Sequence, residues 1–304
     1  MSVATTVTTT VTTTPTATPT STIAATAAAA PRWLAPQAFA RRAAGVVLLA
    51  FGLAGCVTQG TVTPQPSDTK DIVTASDETD ASKRARLRME LAAGYFGRGQ
   101  MTTALDQVKL ALQADPTLGE AYNLRGLIYA NLGDESLAEE SFRRALQING
   151  RDTDTLQNYG YYLCQKKRYA EATTMFDQAL AVPQYRQPSR TLLTKGVCQA
   201  FAGQLAESEE TLLRAYQLDA SNPSTAVNLS EVLFRRGDFE RARFYIRRVN
   251  AVPTLVGAQT LWLAARIEHR LGNPGGAREF GQQLRQRFPD SREAASFSRG
   301  SFDE

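Results

Sequence analysis

Glycine recurs through this chain at an interval too regular for chance. Gly99, Gly133, Gly203, Gly237 and Gly272 are each followed five residues later by a small residue: Ala104, Ala138, Ser208, Ala242 and Ala277. A missing rung falls at Lys167 with Ala172, and with it the steps run 34, 34, 36, 34 and 35 residues. A period in this range marks a stacked repeat. Each unit is too small to bury its apolar face alone and does so against its neighbours.

Each unit reads as a helical hairpin. In the second, Tyr122, Gly126 and Tyr129 lie on one helix, Gly133 turns the chain, and Ala138, Phe142 and Ala145 follow on the next. Small residues at the eighth and twentieth places let the two helices approach, and large ones at the eleventh and twenty-fourth fill the space beside them. This spacing is similar to that of the tetratricopeptide repeat. The expected fold is all-α, a superhelix of six hairpins over 85–118, 119–152, 153–188, 189–222, 223–256 and 257–290. The third carries a two-residue insertion near Pro183 to Pro188. The fifth opens with a cap and a proline, Asn222-Pro223. The sixth is degenerate, with Gly275-Gly276 where its second helix starts and Gly281 at the aromatic place. Residues 291–304 are expected to fray.

Such a stack has a concave inner face, lined by places 2, 5, 9 and 12 of the first helices. In the first three repeats these include Met89, Ala93 and Phe96, then Asn123, Leu127 and Ala130, then Gln157, Tyr161 and Cys164. The set is more apolar than a solvated helix face requires. It reads as a groove for a partner peptide or helix. Inter-repeat packing or shielding by the tether would also account for it.

Composition removes several classes of function. The chain has 304 residues, 43% of them hydrophobic, and its 13 Phe, 10 Tyr and 2 Trp argue for a folded body. One histidine, His269, gives no basis for a His-rich metal site or a Ser-His-Asp apparatus. It lies in the charged stretch Arg266 to Arg270 and reads as a solvated helix residue. Three cysteines are too few for a four-thiolate zinc site. Glu207, Glu209 and Glu210 read as a charged outer face, and no phosphate loop or zincin motif occurs. No metal, cofactor or small-molecule substrate is expected, and no catalysis. The net charge of +4 is concentrated in residues 1–55, which hold Arg32, Arg41 and Arg42 and no acid. The remainder has 31 basic against 30 acidic residues, so no nucleic-acid partner is expected.

Two cysteines, Cys164 and Cys198, fall on the first helices of repeats three and four. Those helices are neighbours in a stack, so the thiols are candidates for a disulfide in an oxidising compartment. Against that, cysteine is often only a small buried hydrophobe, and the two places are offset by half a turn. The Cys-x-x-Cys spacing of a redox pair is absent.

The N-terminal region reads as an address. Residues 1–31 are mainly Thr, Ala and Pro without charge, and 1–40 is expected to be a disordered extension, with a start codon placed too far upstream as one explanation. Arg41-Arg42 precedes an apolar run, Ala43 to Leu53, that is too short to span a bilayer comfortably. Leu53-Ala54-Gly55-Cys56 then resembles the lipobox of bacterial lipoproteins, making 41–55 a signal peptide and Cys56 the lipidated mature N-terminus. That resemblance, with Val57 rather than an acidic residue next, implies anchoring in the outer membrane of a Gram-negative cell, facing the periplasm. Residues 56–84 then form the lipidated cysteine and a flexible tether.

An exported lipoprotein with six such repeats resembles the PilF/PilW family of type IV pilus biogenesis proteins. Two segments sharpen the likeness. One is Asn158-Tyr159-Gly160-Tyr161-Tyr162-Leu163-Cys164-Gln165. The other is Leu261 to Glu268 with the closing Arg287-Phe288-Pro289-Asp290-Ser291. The resemblance spans residues 53 to about 291. It implies a pilotin-like scaffold that binds the secretin subunit of the pilus system and promotes its outer-membrane localisation and multimerisation, or else stabilises the fibre. A BamD-like lipoprotein of outer-membrane protein assembly and a regulator of peptidoglycan synthesis or hydrolysis are the alternatives.

Overall fold

The computed structural model describes residues 79–302. Within them every regular element is a helix. The hairpins are α1 (Asp80–Gly97) with α2 (Met101–Ala114), α3 (Gly119–Leu132) with α4 (Glu135–Ile148), and α5 (Thr153–Gln165) with α6 (Tyr169–Leu180). They continue with α7 (Pro188–Phe201) and α8 (Leu205–Leu218), α9 (Pro223–Arg235) and α10 (Phe239–Asn250), and α11 (Ala258–Arg270) and α12 (Pro274–Arg287). Each second helix packs on the first helix of the next hairpin, and successive first helices touch one another. That is a tetratricopeptide superhelix.

Local chemistry sets the helix boundaries. Asp134, Asp152, Asn222, Asp238 and Asn273 each accept a backbone N–H of the following turn at the starts of α4, α5, α9, α10 and α12. Pro188, Pro223 and Pro274 open α7, α9 and α12, where no backbone donor is needed. The turns inside the hairpins use the left-handed region: Gly133 has φ 83°. Lys167, at the missing rung, takes φ 61° all the same, a conformation a non-glycine residue adopts only at some cost.

The interior is a series of close approaches between the two helices of each hairpin. A Cβ on Gly126 would lie 2.8 Å from the Phe142 ring, one on Gly160 2.7 Å from Phe176, and one on Gly196 2.6 Å from Leu212. Where the small residue is not glycine, its register partner is aliphatic rather than aromatic: Ala92 is matched by Val108, and Ser230 by Ile246. All these side chains are buried, as close packing requires.

Two expectations are corrected. Helix α1 begins at Asp80, inside the segment assigned to the tether. The Thr79 side chain accepts the Ser82 N–H at 3.1 Å, and Ser82 Oγ donates to Asp115, the residue that caps the end of α2, so the cap carries the helix a turn beyond its first buried residue, Ala85. Residues 291–304 do not simply fray. Ser291 caps a helix of 8 residues, α13 (Arg292–Arg299), which packs on α11 and α12 and is closed by Gly300. Its Phe297 ring occupies the space that Gly281 leaves empty; a Cβ on Gly281 would lie 1.9 Å from that ring. The degenerate place of the last repeat is thus filled from the next element. Residues 1–78, with the extension, signal segment and Cys56, lie outside the described residues, as do 303 and 304.

Candidate inner-face binding site

The left-handed turn residue gives each repeat a common origin. Places ten, six and three residues before it recur on the same side of every first helix. In the first repeat these are Met89, Ala93 and Phe96, and in the second Asn123, Leu127 and Ala130. Met89 and Phe96 are half-buried against the cluster around Ala92, Leu105 and Val108. Leu127 is half-buried between that cluster and the one around Phe142. Asn123 accepts a hydrogen bond from Asn158 at 3.2 Å, which ties α3 to α5.

In the third repeat the expected trio separates. Tyr161 is half-exposed at 50% and is available to a partner. Gln157 is buried and is not a groove residue. The insertion between α6 and α7 lays Tyr185 over it, and the Gln157 Oε1 accepts from the Tyr185 hydroxyl at 3.2 Å and from Thr191 at 2.9 Å. Burial holds the Tyr185 phenol above its ordinary pKa.

An apolar depression of about 440 Å³ opens beside Tyr161. Tyr161, Cys164 and Gln165 of α5 and Leu193, Thr194, Val197, Cys198 and Phe201 of α7 line it, with Asn228 of α9. Phe201 is 70% exposed, a high value for an aromatic ring, and it forms one wall. The floor is a disulfide: Cys164 and Cys198 are bonded, with Cα atoms 5.8 Å apart and a sequence separation of 34. The half-turn offset is no obstacle, because the sulfurs meet across the α5–α7 contact. Leu193 and Val197 occupy the same register places as Gln157 and Tyr161. Extending the register into the fourth repeat would have identified them. Phe201 stands outside that register, at the last residue of α7, and no periodic signal marks it.

Other candidates settle elsewhere. Glu209 is not simply a face residue: its carboxylate, 13% exposed, takes Arg236 and, at 2.7 Å, Arg241, binding α8 to the next hairpin. Glu207 and Glu210 are exposed. Glu268, 1% exposed, accepts from Arg247 at 2.6 Å and Asn273 at 2.8 Å. His269 is exposed at its edge, yet its ring stacks on Phe302 with centroids 4.2 Å apart. Among the described residues no cluster of three His, Cys, Asp or Glu side chains is placed to hold a metal. No helix among them is long and apolar enough to cross a membrane.

Comparison with known proteins agrees with the repeat geometry. Models of the tetratricopeptide repeat match residues 119–152 and 227–292. The type IV pilus assembly protein PilF of Pseudomonas aeruginosa is 29% identical over 256 residues, 84% of this chain and 97% of that protein. The crystal structure of PilW, described as a widely conserved type IV pilus biogenesis factor, superimposes with a TM-score of 0.66 at 31% identity, over 70% of this chain and 97% of that one. A structure of Pseudomonas aeruginosa PilF superimposes with a TM-score of 0.64 at 25% identity, over 73% of this chain and all of that one.

Proposed function

Since the chain belongs to the PilF/PilW family of tetratricopeptide-repeat proteins, we propose that it acts in type IV pilus biogenesis as a non-catalytic scaffold of the Gram-negative envelope. Its partner is the secretin subunit of the pilus system, held along the inner face. Acyl chains on Cys56 fix the scaffold to the outer membrane, and the tether lets it reach the subunits as they arrive. Anchor and groove together raise the local concentration of secretin, which favours multimers without covalent chemistry.

The observation that carries the binding part of this reading is the apolar depression between α5, α7 and α9, with Tyr161 and Phe201 exposed at its rim. Aromatic side chains beside a desolvated hollow are the usual anchors of a protein–protein contact. A strain lacking the chain should lose secretin multimers and twitching motility. A strain carrying Tyr161→Ala with Phe201→Ala should lose most of both while keeping normal protein levels. Normal multimers and normal pili in the deletion strain defeat the proposal. Mass spectrometry of the mature N-terminus tests the lipid separately: an unmodified Cys56 thiol removes the anchor from the mechanism.

A further inference from the structure

The last repeat presents the same three register places as the others. Counted back from Gly272 they are Trp262, Arg266 and His269. In the third and fourth repeats the equivalent places include Tyr161, Cys164, Leu193 and Val197, which line the open depression. In the sixth they are covered. After α13 ends at Gly300, the chain folds back and sets Phe302 on them. The Phe302 ring stacks on Trp262 at 5.4 Å and on His269 at 4.2 Å, with planes 28° and 10° apart. Arg266 Nε donates to the Phe302 carbonyl at 3.1 Å. Phe297 of α13 closes one side edge-on at 5.9 Å.

This is peptide recognition in form: two flat rings hold an aromatic side chain, and a guanidinium between them holds the adjoining backbone carbonyl. The site holds one residue of a segment with no helix of its own, whose last backbone bonds are turn-like, from Ser301 N–H to Ser296 and Phe302 N–H to Gly300. Such a contact is easily opened, because few groups must be released to expose the face.

We infer that the Trp262–Arg266–His269 face is a docking subsite for an extended protein segment bearing an aromatic residue, and that Phe302 is its internal, displaceable occupant. The inference rests on the reading that the inner face takes protein segments, and it adds the chemistry of the segment and a built-in competitor. A partner must supply an aromatic ring with a free carbonyl on the same residue. A partner bound at the Tyr161–Phe201 depression and continuing along the inner face would cross α9 and then reach this subsite. Occupancy by Phe302 sets a threshold against weak or aromatic-free segments, because an attached segment competes at an effective concentration of about millimolar.

The test uses the full chain and a labelled peptide of residues 299–304, followed by anisotropy and by Trp262 emission. Phe302→Ala should bind the peptide at least tenfold more tightly than the unaltered chain, up to about millimolar peptide, the range set by the attached competitor. A chain stopped after Gly300 keeps α13 and Phe297 and should behave like Phe302→Ala; thermal melts verify that both remain folded. Adding Arg266→Ala to Phe302→Ala, or replacing the peptide's phenylalanine by alanine, should abolish the gain. Equal affinity with and without Phe302, or no binding by either opened variant, overturns the inference. Neither result involves the secretin, so the pilus reading stands or falls separately on the deletion strain.

Discussion

At Gly160 a single methyl group is the difference between a packed and a strained hairpin. Its Cβ would lie 2.7 Å from the Phe176 ring, which is itself fully buried and has nowhere to retreat. Gly160→Ala should therefore cost about 1–3 kcal/mol, the range for overfilling a packed core, read as a lower urea midpoint. Phe176→Leu in the same chain should recover part of the loss; strictly additive losses would show that the ring is not the obstacle. The tyrosines beside it make a second prediction. Burial pushes the phenols of Tyr159 and Tyr162 above their ordinary pKa, and the nearby Glu139 carboxylate adds to the shift. Folding therefore favours the neutral phenols. That contribution is complete below the unfolded value of about 10 and is lost as pH rises through the folded values. Thermal midpoints should hold level up to about pH 9 and fall beyond about pH 10. In Tyr159→Phe with Tyr162→Phe the alkaline fall should be shallower, and an unchanged slope would refute the assignment.

Among the elements, α13 shows how a repeat can borrow a side chain. The sixth hairpin lacks its own ring at Gly281, and Phe297 supplies one from the next helix. Phe297→Ala should leave a void and lower stability by about 3 kcal/mol. Gly281→Phe alone should also destabilise, because two rings would compete for one space. The two substitutions together should recover most of the loss by restoring the ring to α12, and denaturation of the four proteins measures it. If the pair is worse than either single change, Phe297 is not filling the vacant place. The α10–α11 joint relies on charge: Glu268 is buried, while Arg247 reaches it from a half-exposed position. Arg247→Ala removes the closest cation from that carboxylate, with Arg243 at 3.8 Å and Asn273 still beside it, and should cost about 1–3 kcal/mol, typical of leaving a buried acceptor short of a partner. Thermal melts that shift no more than for Arg248→Ala would contradict this.

On the scale of the whole molecule, the hairpins of the described residues touch only their neighbours in the stack, so a local staple matters beyond its two residues. The Cys164–Cys198 bond closes a loop across a 34-residue separation, which is worth about 2–4 kcal/mol through restriction of the unfolded chain. Cys164→Ser with Cys198→Ser should lower the denaturation midpoint accordingly. A reductant should do the same to the unaltered chain and nothing further to the double variant. The same bond floors the Tyr161–Phe201 depression, so partner affinity should fall with it.

The glycine ladder and the small-large alternation determined the repeat and its number, because those features are enforced within one hairpin by helix contact. Even the missing rung was legible, since Lys167 had to take the turn conformation of its glycine counterparts. Three-dimensional packing alone decided what no single repeat contains. The inserted loop buries Gln157 beneath Tyr185, the ring of Phe297 crosses from one helix to fill another's vacancy, and the chain bends back to place Phe302 on Trp262 and His269. Periodicity encodes contacts at fixed separations along a helix, whereas these three join residues by space left over after the hairpins have stacked.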